Sequence, residues 1–153
     1  MRRTAFVVSC AISLLPGIVL AGASNATLEC NTKSGKGGIT LSGSIPGDFE
    51  EFELRLKSAN GVFDMADNNG TINVITAFDK GVFTIAVSLK DTRNLLLYAI
   101  PKTVKAHGGS RREVKARFEA ILLEAPKPGY KGPVNYDSIV EDVPLTCSFE
   151  HAI

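Results

Sequence analysis

Histidine is scarce in this chain: His107 and His151 are the only two among 153 residues. His107 lies in Lys105-Ala106-His107-Gly108-Gly109-Ser110, which places a hydroxyl three residues from an imidazole. A Ser110/His107 nucleophile pair needs a third group to orient the imidazole and a rigid elbow to present the serine. The segment has no orienting acid and no Gly-x-Ser-x-Gly elbow, so a hydrolase is the weakest reading. His151 stands two residues from the end, where fraying is the default. Metal motifs are equally poor. Asp64, Asp67 and Asn69-Gly70 resemble a calcium loop, but counting back from Gly70 puts Met65 at the first carboxylate position and Thr76 at the bidentate glutamate. The chain reads as non-catalytic and without a cofactor.

Excess charge is also missing. Lysine and arginine number 17 against 16 acids. The first 23 residues hold Arg2 and Arg3 and no acid, leaving 15 basic against 16 acidic residues beyond them. A dedicated nucleic-acid binder relies on surplus positive charge, so that class is excluded.

Long apolar runs are confined to one place. Arg2 and Arg3 precede an apolar stretch from Ala5 to Leu20, and Ala21-Gly22-Ala23 fits a small-x-small cleavage site. Residues 1–23 therefore read as a signal peptide, with residues 24–153 as a single domain. Pro16 and Gly17 interrupt the stretch, which makes it a poor permanent anchor. The expected location is periplasmic or secreted, with no stable membrane insertion after cleavage near Ala23.

Cysteine is limited to three residues, and Cys10 falls within the leader. Cys30 and Cys147 then bracket nearly the whole domain, which in an oxidising compartment reads as one structural bridge. Closing a loop of over a hundred residues contributes about 4–5 kcal/mol by the chain-entropy estimate.

What the sequence does have is alternation. Leu145, Cys147 and Phe149 fall on one side of an extended chain, with Thr146, Ser148 and Glu150 on the other. Leu28, Cys30 and Thr32 repeat the pattern near the start. Between them, Ile39/Leu41, Phe52/Leu54/Leu56 and Phe83/Ile85/Val87/Leu89 alternate with polar partners. Asn60-Gly61 supplies a hairpin turn leading to Val62–Met65. Leu95 to Ile100 is apolar on both sides, as in a central strand. Residues 111–125 fit either a helix or a strand; composition favours helix, and the surrounding strands favour strand, which we adopt. The whole predicts an all-β antiparallel sandwich or small barrel of about eight strands, its first and last strands joined by Cys30–Cys147.

Three surface features carry the functional reading. A connection of about 18 residues, Ala125–Asp142, holds Tyr130 and Tyr136 flanked by Lys127 and Lys131; tyrosines on a long loop offer large contact area at low entropy cost. Six basic side chains lie between Lys102 and Arg117, including Arg111 and Arg112, and Asp48, Glu50, Glu51 and Glu53 form an acidic counterpart. Outward strand charge paired across the sheet accounts for both clusters most simply. Tyr130, Tyr136, Lys127, Lys131, Arg111 and Arg112 are the candidate binding residues. They fit a small exported β-domain that takes a protein or glycan partner through its loops, the alternative being a structural envelope module without a ligand.

Overall fold

The computed structural model of the protein describes residues 25–32, 38–46, 51–90, 93–108, 113–126, 131, 140 and 142–152. Its strands are β1 (Ala26–Thr32), β2 (Thr40–Ile45), β3 (Glu53–Ser58), β4 (Gly61–Ala66), β5 (Gly70–Ala77), β6 (Val82–Leu89), β7 (Arg93–Ala99), β8 (Lys105–His107), β9 (Glu113–Pro126) and β10 (Val143–Ala152). Ten strands replace the expected eight or so, and no α-helix occurs among the described residues. All pairings are antiparallel, in the order β4-β3-β2-β1-β10-β9-β7-β6-β5, with β8 also on β9. The result is a nearly closed, barrel-like sheet whose two ends are β4 and β5.

The period-2 pattern builds the interior directly. Leu28, Leu41, Leu54, Leu56, Phe83, Ile85, Leu97, Leu122 and Leu145 all point inward and are buried. The cavity left between Leu41, Leu54, Met65, Ile85, Leu97 and Leu122 is about 10 Å³. That barely admits one water, so the interior is closely packed at this place. Phe78 stacks on Phe83 at 5.6 Å, and Phe83 meets Phe118 and Phe149 at 4.8 and 5.2 Å, filling the barrel beside the turn at Phe78–Lys80.

Residues 113–126 are strand, as adopted from context. Ala116, Phe118, Ala120 and Leu122 are buried while Lys115 and Arg117 are exposed. β9 has neighbours on both sides, and that pairing outweighs the helix preference of its composition. The first and last strands lie side by side, with Cys30 directly opposite Cys147. Their α-carbons are 4.0 Å apart, the sulfurs are bonded, and both residues are buried.

One turn differs from expectation. Ser58 pairs with Gly61, so the two-residue hairpin loop is Ala59-Asn60 rather than Asn60-Gly61. Gly61 leaves the turn at φ +134°, a conformation that favours glycine. A one-residue slip would turn every side chain of β4 over. The observed register keeps Met65 inside, directly opposite Leu54.

Candidate functional site

β7 and β8 both run antiparallel to β9, but not as one uninterrupted strand. Ala99 stands opposite Ala120 and Lys105 opposite Arg117, so five residues, Ile100–Val104, face only Phe118 and Glu119. The surplus forms a bulge containing a short 3-10 turn, Pro101–Thr103. Bulges of this kind commonly re-aim side chains beside functional sites. This one is firmly tied. Ile100 N–H donates to Glu119 O at 2.7 Å, and Glu119 N–H donates to Thr103 Oγ1 at 2.9 Å. The Thr103 hydroxyl donates in turn to Ile100 O at 2.7 Å.

The bulge also rests on the turn after β5. Gly81, at φ +71°, lies so close to Pro101 that a β-carbon there would come within 2.6 Å of Pro101 O. Glycine is required on both counts.

Lys102 on the bulge, Lys105 and His107 on β8, and Lys115 and Arg117 on β9 surround an open groove of about 840 Å³, with Glu119 and Thr146 at its other border. The charges are not arranged to cancel. Lys105 stands directly opposite Arg117, and His107 directly opposite Lys115. Lys115 is compensated: its ammonium lies 3.0 Å from Glu113 and 3.8 Å from Glu150. The hydrogen bond to Glu113, followed by the attraction of both carboxylates, raises its pKa above the ordinary lysine value. Lys102, Lys105 and Arg117 have no ion-pair partner among the described residues.

A second groove, about 620 Å³, crosses the outer face of β1–β4 and carries Glu29, Glu53, Arg55 and Asp64. Its single cation is already engaged, since Arg55 Nε donates to Asp64 Oδ1 at 2.6 Å. That hydrogen bond is the main reason why the Asp64 carboxyl is held below its usual value. The associated stability is present at neutral pH and fades as pH falls through the lowered pKa. Both side chains are exposed, so the contribution is small.

Among the described residues the expected pairing between the acidic and basic clusters does not occur. β3, which carries Glu53, is separated from β9 by β2, β1 and β10. Lys105-Ala106-His107 forms a short strand on β9. His151, expected to fray, is half-buried within β10 opposite Val114 and Ala26. The calcium-like residues have other roles: both Asp64 oxygens accept from Arg55, and the Asn69 side chain accepts from Ala66 N–H and donates to Asp64 O.

Lys131 is exposed. Tyr130, Tyr136, Lys127, Arg111, Arg112 and Ser110 lie outside the described residues, as do residues 1–23, expected as a signal peptide. Thr103, Glu119 and Thr146 join the groove without having been singled out from sequence. The pairing of β10 with β9 sets Thr146 opposite Glu119, and the bulge brings Thr103 to Glu119. Among the described residues no helix is long and apolar enough to cross a membrane. No family model, curated protein or solved structure matches this chain.

Proposed function

We propose that the chain is an exported, non-catalytic binding domain that takes an anionic glycan on the basic face of β8 and β9. The carrying observation is the register that sets Lys105 directly opposite Arg117, with Lys102 on the adjoining bulge and none of the three ion-paired among the described residues. Like charges placed directly across a strand pair oppose folding; a cation on the edge strand β8 also blunts that edge, but neither packing nor edge protection gives a reason for the arginine that faces it. A ligand bearing carboxylate, phosphate or sulfate groups does. Clustered, unpaired cations raise the local concentration of such a ligand and steer its approach. The groove has no exposed aromatic platform among its lining residues, which favours recognition through charged substituents over stacking on sugar rings. Export is read from the leader-like residues 1–23 and fits the Cys30–Cys147 bridge. Arg111 and Arg112 follow β8 in the chain and extend the same basic run.

Heparin serves as the probe, with neutral dextran and poly-glutamate as comparisons. Heparin binds the mature protein, increasingly weakly as salt rises, and dextran does not. The double variant Lys105→Glu/Arg117→Glu keeps the native melting profile and loses at least about tenfold in affinity, roughly 1.4 kcal/mol. The reading is abandoned if the unaltered protein ignores heparin, or if the double variant binds it as well. Equal affinity for poly-glutamate would transfer the site to acidic proteins.

A further inference from the structure

The two ends of the sheet are not protected alike. Among the described residues β5 pairs with β6 on one side only, leaving its other edge free along Gly70-Thr71-Ile72-Asn73-Val74-Ile75-Thr76-Ala77. This edge has no charged residue, no proline, and five β-branched side chains. Natural edge strands are usually blunted by charge, proline or shortness, because an open edge recruits another strand. β4, at the opposite end, carries Asp64 held by Arg55. β8 is three residues long and has Lys105 and His107.

β4 and β5 also do not cover one another. The Asp67–Asn69 turn joins them in sequence, yet they share no ladder. Burial fades away from that turn: Met65 and Ile72 are buried, Phe63 and Val74 half-buried, and Thr76 exposed. At the far end Ile75 is 61% exposed on the outer face.

We propose that the free edge of β5 is a homodimer edge, paired antiparallel with β5 of a second copy about a two-fold axis. An isologous contact requires a surface compatible with itself. A charged edge would meet its own charge across the axis, and β5 has none. With the axis at Val74, Asn73 of one copy faces Ile75 of the other on the outer face, and Ile72 faces Thr76 on the inner face. Backbone hydrogen bonds supply the association, and the exposed isoleucine is covered by the partner. The groove residues on β8 and β9 take no part.

Light scattering after size-exclusion chromatography, run over a concentration series, reads the result. The mature protein is a dimer at the high end and dissociates on dilution. Ile75→Lys keeps the circular-dichroism spectrum and melting midpoint, because the residue faces outward, and raises the dimer dissociation constant roughly tenfold or more by removing a covered apolar side chain and setting two like charges diagonally across the axis. Asn73→Lys, next to the axis on the same outer face, does likewise. Val62→Lys, on the β4 edge, leaves the dimer intact. A monomer at every concentration overturns the proposal, as does a dimer that survives Ile75→Lys or one that Val62→Lys dissociates.

Discussion

Thr103 shows how one hydroxyl can hold a surface feature in place. Its oxygen accepts from Glu119 N–H and its proton goes to Ile100 O, so both sides of the bulge are fastened through a single side chain. Thr103→Val keeps the β-branched shape and removes both bonds, leaving a part-buried N–H without its acceptor. Such a loss costs about 1–3 kcal/mol. Equilibrium denaturation should show it, and heparin affinity should fall with it because Lys102 moves with the bulge. An unchanged midpoint would mean that the backbone bonds of Ile100 and Val104 suffice. Gly81 is the matching constraint on the other side, where any β-carbon would strike Pro101 O.

Among the elements, β8 is the one whose charges oppose its own pairing. Replacing Lys105 with Thr removes the like-charge contact with Arg117. The melting midpoint should then rise by roughly 1–4 °C while heparin binding weakens. A residue kept only for stability would move both measurements in the same direction. Element scale is also where reading from the sequence succeeded and where it stopped. β1, β3, β6 and β10 were legible because a sheet with one buried face alternates by necessity, and β9 because its neighbours outvote its alanines and glutamates. β8 was not: three exposed residues are too few to display a period. The groove was missed for the same reason, since it exists only where β8 lies against β9. The idea that the acidic and basic clusters pair failed for the described members, Glu53 on β3 against β8 and β9, because composition says nothing about strand order. Cys30 and Cys147 were the exception, two sulfurs whose scarcity alone identified a contact spanning the domain.

For the molecule as a whole, strand order reveals two locally connected parts. β1 to β4 form a meander of consecutive hairpins, and β5, β6, β7, β9 and β10 form the rest; the sheet becomes continuous only where β1 meets β10. The disulfide sits in that junction and spans 117 residues. Replacing Cys30 and Cys147 with alanine, or unfolding under reductant, should lower stability by about 4–5 kcal/mol on the chain-entropy account, read from denaturant midpoints. A loss below about 1 kcal/mol would mean that strand pairing alone secures the junction. That placement also sets a timetable. During synthesis Cys30 emerges long before its proper mate, and β1 finds its second neighbour only when almost the entire chain exists. Until then the one other thiol available within the same polypeptide is Cys10, so an oxidant acting early would link the wrong pair, and cutting the chain after Ala23 would take that competitor away.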